Sequence, residues 1–330
     1  MVTQFNEKKS STKQLDCVII GNILFDYFVF NDEVENQHRG GIKYEDKKMI
    51  VKKHTEQISP GGTGNVAVGM SKLGLKTAFI GKIGNDVLGE KYKDDLVKNN
   101  VVPKLFFNNK LETGTVEVLI DKTGERSFNT YLGANEDLTS EEIIQSSEII
   151  SNSEYLFVSG YSLNSHPEAI LKAIEIAKEN AVKIIFDPGS HNIIYDSIES
   201  FRYILKNSSI FCPNESEIAS ITESKSLDEA INKMKKSKNF IALKLGDKGC
   251  KIIKNNQMNY DLGIKVNQID TTGAGDAFIS ALVYGIESEL SLSDTAKFAN
   301  WFASFIVTKI GARNYPSQKE INEFIYRIEK

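Results

Sequence analysis

The second half of the chain alternates short apolar runs with stretches of helical spacing, and this alternation strongly limits the folds available to it. The apolar runs include residues 155–160, 182–189 and 240–246, each of which ends at a glycine. Such runs are typical of buried strands, and residues 166–180 have the spacing of an intervening helix. Strands and helices that alternate in this way form a mostly parallel sheet with helices on both faces. The sequence therefore predicts an α/β fold.

The composition fits one large α/β domain with an appendage, or two domains. The chain has 330 residues, of which 41% are hydrophobic, and a formal net charge of −4. A nucleic-acid-binding protein is usually basic, so no nucleic-acid partner is expected. No stretch approaches ~18 consecutive apolar residues, so the sequence predicts no membrane span and no membrane partner.

The N-terminal segment and the cysteines point to a cytoplasmic protein. Residues 1–14 are polar, lack the apolar run of a secretory signal and are predicted to form a disordered tail. Cys17, Cys212 and Cys250 lie in apolar runs, and an odd, dispersed set of cysteines suits a reducing compartment. The four histidines are scattered and show no metal-ligand spacing.

One glycine-rich segment carries the clearest chemical signal in the chain. Residues 270–276 read DTTGAGD, and the residues after them have apolar positions at helical spacing. Small residues let a backbone approach a ligand closely, and the free amides of a helix N-terminus form an anion site. Asp276 then falls in the first helical turn, where a carboxylate could take a proton from a hydroxyl that attacks a bound phosphate. Alternatively, Asp276 only complements the helix dipole.

The full run from Asp270 to Phe278 resembles the C-terminal signature of the ribokinase-like (PfkB) sugar and nucleoside kinases. The resemblance implies that Asp276 is the catalytic base and that the Gly273, Ala274 and Gly275 backbone is the anion hole for the transferring phosphoryl group. It also implies a three-layer αβα sandwich with a mostly parallel central sheet and a small β-sheet lid. ATP and Mg²⁺ are the implied cofactors.

The resemblance also implies how the chain divides. Residues 15–27, 62–107 and 133–330 would form the large α/β kinase domain, and residues 28–61 and 108–132 would form the β lid. Family lids often pair across a dimer, so a homodimer through the lid is a further expectation.

The pattern over residues 113–128 supports the second half of that lid. Polar and apolar residues alternate there around a turn, which predicts a β-hairpin.

A second set of residues is implied to hold the phosphoryl acceptor. Asp26 follows the strand-like run 15–21, and ligands of open parallel sheets bind beyond the carboxyl ends of strands, although Asp26 could equally be a turn residue. By resemblance, Asp26 hydrogen-bonds acceptor hydroxyls beside Asp276. Gly61, Gly62 and Asn65 resemble the family's N-terminal Gly-Gly motif, in which the glycines hinge the lid and the Asn contacts the acceptor. Here the Asn comes one residue earlier than usual.

A third set is implied to bind ATP and its metal. Asn214 and Glu217 resemble an Asn-x-x-Glu motif, with Glu217 acting on Mg²⁺ through water, although the pair would also serve as a helix cap. Lys244 stands where many relatives have Thr, and it could either neutralise phosphate or lie on a solvated edge. Asp187 fits either an active-site position or a helix cap. The implied ATP-binding residues are Asn214, Lys244, Gly246, Gly273, Gly275 and Asn300.

A monovalent cation such as K⁺ is implied in many family members. Asp270 and Thr272 would share it with carbonyl groups near Gly311.

Three functions remain open from the sequence. The acceptor could be a sugar, as in ribokinases, fructokinases and ketodeoxygluconate kinases, because residues 133–135 are closest in form to ribokinases. It could be a nucleoside such as adenosine or inosine, because aromatic residues flank Asp26 and Asn22 resembles adenosine kinases. A non-catalytic sugar or nucleotide sensor on the same scaffold is the third alternative, and the intact Asp276 argues against it.

Overall fold

The computed structural model describes residues 13–30, 43–44, 55–120, 126–235 and 239–328. Its strands are β1 (Leu15–Ile20), β2 (Ile23–Phe30), β3 (Lys43–Tyr44), β4 (Thr55–Gly62), β5 (Thr77–Gly84), β6 (Val101–Asn108), β7 (Gly114–Ile120), β8 (Arg126–Tyr131), β9 (Ser153–Ser159), β10 (Lys183–Asp187), β11 (Ile210–Phe211), β12 (Phe240–Lys244), β13 (Cys250–Lys254) and β14 (Gln257–Asp261). Its α-helices are α1 (Gly64–Lys72), α2 (Val87–Lys98), α3 (Ser140–Ile144), α4 (Ser147–Ser151), α5 (Gly160–Ser165), α6 (Pro167–Glu179), α7 (His191–Ile194), α8 (Ile198–Asn207), α9 (Glu215–Thr222), α10 (Leu227–Met234), α11 (Ala274–Glu287), α12 (Leu292–Ile306) and α13 (Gln318–Ile328).

The large sheet has nine strands in the order β14-β13-β12-β11-β10-β9-β1-β5-β6. In this order, every strand from β12 through β11, β10, β9, β1 and β5 to β6 is parallel to its neighbours within that set. At the other edge, β13 pairs antiparallel with β12, and β14 pairs antiparallel with β13. The mostly parallel sheet predicted from the alternation is thereby confirmed. All the parallel strands point the same way, so their carboxyl ends meet along one edge of the sheet.

Two hydrophobic layers cover the two faces of this sheet. Along β1 the side chains alternate between the layers, because successive residues of a strand point to opposite faces. Cys17 and Ile19 pack with α1, α2, α11, α12 and α13 on one face, and Val18 and Ile20 pack with α3 to α10 on the other. The α/β class and the three-layer arrangement are therefore confirmed.

The small sheet has the order β3-β8-β7-β2-β4. β7 and β8 are antiparallel neighbours, which confirms the predicted hairpin, although its connecting residues 121–125 lie outside the described residues. Strand β2 begins at Ile23, so part of the range 15–27 that the sequence assigned to the large domain lies in the small sheet. Asp26 therefore lies within a strand of that sheet, and not in a turn after β1, because only Gly21 and Asn22 separate β1 from β2.

Residues 1–12 of the predicted tail lie outside the described residues, as do residues 31–42 and 45–54 of the predicted lid. At the end of that tail, the backbone N–H of Gln14 donates to the carbonyl of Asn152 at 3.0 Å, so this residue is already hydrogen-bonded to the large domain.

Cys17, Cys212 and Cys250 are buried and free, as their apolar surroundings in the sequence indicated. In the part of the chain that the structure describes, no helix is both long and apolar enough to cross a membrane.

Candidate active site

The glycine-rich segment ends where α11 begins, and it places Asp276 in the first turn of that helix. Gly273 caps the helix with a φ of 80°, in the left-handed region that favours glycine. A Cβ on Gly273 would also lie 2.6 Å from the Cβ of Ala312, so only glycine fits here. The helix therefore starts without a side-chain cap and with a carboxylate in its first turn, as the sequence predicted, although the Ala274 N–H already donates to the Thr271 carbonyl at 3.2 Å.

Asp276 is held by a neighbour from α1. The side-chain amide of Asn65 donates to Asp276 Oδ2 at 3.2 Å. Burial and the Asp187 carboxylate raise the pKa of Asp276 to about 7, against the opposing effects of the Asn65 hydrogen bond, Lys244 and Arg313. The carboxylate thus titrates near neutral pH, which suits a group that accepts a proton during turnover.

Asp26 faces the same region from the small sheet. Its side chain is 6% exposed, and Gly61 makes room for it, because a Cβ at Gly61 would lie 2.4 Å from Asp26 Oδ2. Burial raises the pKa of Asp26 to about 7, with Arg313 opposing the shift and Asp276 adding to it. Gly62 takes a φ of 64° at the end of β4, where the small sheet joins α1. The four sequence-predicted acceptor residues and the predicted base are therefore brought together.

A second cluster lies at the carboxyl ends of β10 and β12. Lys244 Nζ forms an ion pair with Asp187 Oδ1 at 2.7 Å. Although burial favours the neutral amine, the Asp187 and Glu217 carboxylates hold the pKa of Lys244 above its ordinary value. A Cβ built on Gly275 would lie 3.7 Å from Lys244 Nζ, so this ammonium group stands beside the start of α11.

Asn214 and Glu217 form a capping box at the start of α9, as the alternative interpretation of that motif expected. Glu217 accepts from the Asn214 backbone N–H at 2.8 Å and from its side-chain amide at 2.7 Å. Glu217 is 1% exposed, and burial raises its pKa to about 7, against the opposing charge of Lys244. The cap thus fixes a carboxyl group close to the Lys244–Asp187 pair.

The residues implied for the monovalent cation hold two loops together. Asp270 Oδ1 accepts from the Thr272 N–H and Asp270 Oδ2 accepts from the Gly311 N–H, both at 2.8 Å. The segment before α11 is therefore fastened to the segment after α12.

The other two residues that were predicted to bind ATP are Asn300 and Gly246, and they have different neighbours from those of the two clusters. Asn300 donates to Asp261 Oδ1 at 2.6 Å, at the end of β14. Gly246 has a φ of 62°, and a Cβ there would have none of the described atoms within 4 Å beyond its chain neighbours, so its surroundings are open.

Sequence comparison identifies the family. Residues 16–320 match the family described as pfkB family carbohydrate kinase. The chain belongs to this family. It is 32% identical over 287 residues to fructokinase-1 of Zea mays, which spans 81% of this chain and 88% of that protein.

Solved structures agree on the PfkB-type fold. A protein from Rhizobium etli CFN 42 described as a probable sugar kinase superimposes with a TM-score of 0.86 at 24% identity, covering 96% of this chain and 99% of that one. A ribokinase-II-type protein from E. coli, solved in complex with ATP and Mg²⁺, superimposes with a TM-score of 0.81 at 21% identity, covering 95% and 99%.

The side chains of this PfkB kinase suit a metal ion that is shared with the substrate. Among the described residues, no group of three or more His, Cys, Asp or Glu side chains could hold a metal ion by itself. Mg²⁺ in phosphoryl-transfer sites usually keeps several waters and takes one or two carboxylates together with the substrate phosphates. Asp187 and Glu217 offer carboxylates around Lys244, beside the anion site that the sequence predicts at the start of α11, so the residues fit a Mg²⁺ that arrives with its nucleotide.

Sequence reasoning missed the role of Arg313 in this site. Sequence motifs assigned no role to this residue, yet its Nε donates to Asn65 Oδ1 at 2.9 Å. Its Nη1 forms an ion pair with Asp95 of α2. Asn65 and Asp95 are 248 and 218 residues away in sequence, so no local pattern could have indicated these contacts.

Proposed function

We propose that this PfkB-family kinase transfers the γ-phosphoryl group of ATP to a hydroxymethyl group of a sugar, with Asp276 as general base. The observation that carries the proposal is the position of Asp276 in the first turn of α11, 3.2 Å from Asn65 and in the same electrostatic environment as Asp26. A helix N-terminus that presents free amides and a carboxylate together can hold a phosphoryl group and deprotonate its attacker.

Catalysis by the chain's own groups would rest on positioning and on charge. The amides at Gly273 and Gly275 would donate to the transferring group, and that of Ala274 would join them by giving up its 3.2 Å hydrogen bond to the Thr271 carbonyl. Lys244, which stays protonated, would add positive charge beside them. Asn214, Gly246 and Asn300 would line the rest of the nucleotide. Mg²⁺ would supply further charge neutralisation, with Glu217 acting on it through water.

Asp26 would bind the acceptor. A carboxylate can accept two hydroxyl hydrogen bonds, and the hydroxyls of a sugar offer such donors. Gly61 and Gly62 would let the small sheet approach the acceptor closely, and Asn65 would lie between the acceptor and the base.

The aromatic neighbours of Asp26 favour a sugar over a nucleoside. Phe25 and Tyr27 alternate with Asp26 along β2 and are buried in the hydrophobic layer, where Phe25 contacts Tyr92 edge-on with ring centroids 5.7 Å apart. They are therefore not free to stack on a base from the face that carries Asp26.

Asp270 and Thr272 would take part in a monovalent cation site, with K⁺ as the expected ion, at the loop contact with Gly311.

A cytoplasmic location is expected because buried free thiols suit a reducing compartment. A homodimer through the small sheet also stays a prediction, which sedimentation at micromolar concentration would test.

The deciding experiment is a coupled ADP-release assay with Mg-ATP and a panel of acceptors. Ribose, fructose and 2-keto-3-deoxygluconate represent the sugars, and adenosine and inosine represent the nucleosides. Turnover of a sugar is expected, turnover of a nucleoside alone would contradict the sugar assignment, and binding without ADP release would indicate a sensor.

Asp276→Asn tests the mechanism directly. The amide keeps the shape of the side chain but cannot take the proton, so kcat should fall at least about a hundredfold. ATP affinity should change little or improve, because a like charge beside the phosphates is removed. A variant that turns over at nearly the parent rate would overturn the proposed role of Asp276.

A further inference from the structure

Arg313 connects three parts of the molecule that sequence keeps far apart. It follows α12, its Nε donates to Asn65 Oδ1 of α1 at 2.9 Å, and its Nη1 is paired with Asp95 of α2. The guanidinium plane is therefore fixed at two points.

The orientation of the Asn65 amide follows from this contact. A guanidinium has donors only, so the Asn65 atom that faces it must be the carbonyl oxygen. The amide nitrogen then points the other way, and it donates to Asp276 Oδ2 at 3.2 Å. The backbone of Asn65 is fixed as well, because the Tyr315 hydroxyl donates to its carbonyl at 2.9 Å.

Burying the Arg313 guanidinium carries a desolvation cost that a purely structural contact would not require. Its Nη2 is buried and has no hydrogen-bond partner among the described residues. Replacing a buried ion pair by apolar residues of similar volume is often neutral or stabilising. Arg313→Met would fill a similar volume, but it leaves the Asp95 carboxylate without its partner and therefore costs stability, and it could not direct the Asn65 amide.

We propose that Arg313 is a positioning residue for the general base: by holding the oxygen of the Asn65 amide, it directs the amide nitrogen onto the Asp276 carboxylate and keeps that carboxylate in one orientation. This inference rests on the proposed function of Asp276. Asp95 is the anchor of the arrangement, because it fixes the far end of the guanidinium.

The charges around Asp276 give this role a signature in pH dependence. Asp187 of β10 raises the pKa of Asp276, whereas Lys244 of β12 and Arg313 lower it. Asp26 of β2 and Tyr315 also face this carboxyl, since each has its own pKa influenced by Asp276. Loss of Arg313 removes one opposing charge and loosens the Asn65 hydrogen bond, and both changes raise the pKa of Asp276. The acid limb of the kcat–pH profile should then move to higher pH.

The test compares Arg313→Met, Arg313→Lys, Asn65→Ala and the Arg313→Met/Asn65→Ala double variant. Arg313→Met should lower kcat by at least about tenfold, the scale of one hydrogen bond to a charged group. The KM for ATP should stay within about twofold, because positioning the base acts on the chemical step.

Arg313→Lys keeps the charge and one donor, so it should recover part of kcat and return the acid limb toward the parent position. In the Asn65→Ala background, Arg313→Met should have little further effect on kcat measured above the acid limb, since the two residues act in series there, and its direct charge effect should appear only as a shift of the acid limb.

Tyr155→Phe is the matched control for the loss of a buried polar contact. It removes a hydrogen bond of 2.8 Å to Glu287, the last residue of α11, at the end opposite Asp276. Its kcat and acid limb should match those of the parent protein.

A second measurement does not depend on turnover. The Asp276 carboxyl can be titrated by ¹³C NMR of the parent protein and of Arg313→Met, with Asp276→Asn used to assign the signal. A parent protein that fails to release ADP with every acceptor would defeat the proposed function, and the NMR titration would still report on Arg313. An unmoved Asp276 titration in Arg313→Met, or kcat losses for Arg313→Met and Asn65→Ala that multiply in the double variant, would overturn the positioning role.

Discussion

At the scale of single residues, two of the carboxyl groups in the site, those of Asp276 and Asp26, differ in their hydrogen bonds. Asp276 accepts a hydrogen bond from Asn65, whereas Asp26 is 6% exposed and makes no side-chain hydrogen bond in the described part of the chain. A buried carboxyl group without donors is costly unless a ligand supplies them. We therefore expect the acceptor to supply the hydrogen-bond donors for Asp26.

Asp26→Ala tests this expectation. The variant should raise the KM for the acceptor by about 10- to 100-fold, since a hydrogen bond to a charged group contributes about 1.5–3 kcal/mol. The KM for ATP should stay close to the parent value, because the nucleotide residues lie on other strands. Steady-state kinetics with each substrate varied in turn measures both constants, and an equal rise in the two would contradict an acceptor-binding role.

The sequence could predict those residues whose neighbours in the chain also carry the signal. Asp276 stands in a run of seven informative residues, so its role was predictable before its surroundings were known. Arg313 stands in no comparable run, and its two partners come from α1 and α2. A contact that depends on tertiary packing leaves no periodic pattern near either partner.

At the scale of elements, the start of α11 shows two glycines with different constraints. Gly273 has a φ of 80°, and a Cβ there would lie 2.7 Å from the carbonyl oxygen of Ala312. Gly275 lies within the helix, and beyond that helix's own backbone the one described atom within 4 Å of a Cβ there would be the Lys244 ammonium nitrogen, at 3.7 Å. The first glycine is required by the backbone, whereas the second leaves space that the transferring phosphoryl group would occupy.

Gly275→Ala and Gly273→Ala form a matched pair. Gly275→Ala should fold with an unchanged or slightly higher Tm, because alanine favours a helix by up to about 1 kcal/mol over glycine. Its kcat should nevertheless fall by at least about tenfold, since displacing a reacting group by about 1 Å can cost on the order of 10²-fold. Gly273→Ala should instead lose about 1–3 kcal/mol of stability through backbone strain. Thermal melts and ADP release separate the two, and full activity in Gly275→Ala would place the phosphoryl group elsewhere.

The Asn214–Glu217 motif shows where prediction at the element scale stops. The same residues satisfy a helix capping box and a phosphate-site motif, and the structure shows that the capping box is formed. Only the fold brings Glu217 near Lys244, whose strand is remote in sequence. A local pattern therefore could not distinguish a cap from a cap that also serves the site.

At the scale of the whole molecule, local periodicity was enough to predict the strands of the large sheet, but it did not predict how the strands of the small sheet pair. Alternating strands and helices predicted parallel strands, because each crossover helix brings the chain back to the end of the sheet at which the previous strand began. In the small sheet β2 pairs with β4 antiparallel and with β7 in parallel. Strands so far apart in the chain pair through register and packing, which the pattern of a single segment does not contain.

Burial of several acidic groups also gives the molecule a predictable response to pH. Burial raises the pKa values of Asp26, Asp276 and Glu217 to about 7, whereas burial lowers the pKa of His166 to about 4. Between about pH 4 and 7 the three folded carboxyls hold protons that the unfolded chain releases, so their contribution to stability is lost as pH rises through 7. His166 acts in the opposite direction, since only the unfolded chain protonates it between about pH 6.5 and 4. The carboxyls outnumber the histidine, so the free energy of unfolding should fall between about pH 5.5 and 8.

Thermal melts of the ligand-free protein at pH 5.5 and 8 measure this response, and the lower pH should give the higher Tm. Carboxyl groups with lowered pKa values, such as Asp86 and Asp294, do not interfere, because they titrate below this window. Asp26→Asn should raise the Tm at pH 8 and reduce the difference between the two pH values, since the amide removes one buried charge that only the folded state carries at a cost. A parent protein that is equally stable at both pH values would contradict net proton uptake by these buried groups on folding. An Asp26→Asn variant with the parent's pH dependence would show that Asp26 is ionised in the folded protein throughout this range and that the acceptor meets a carboxylate already charged.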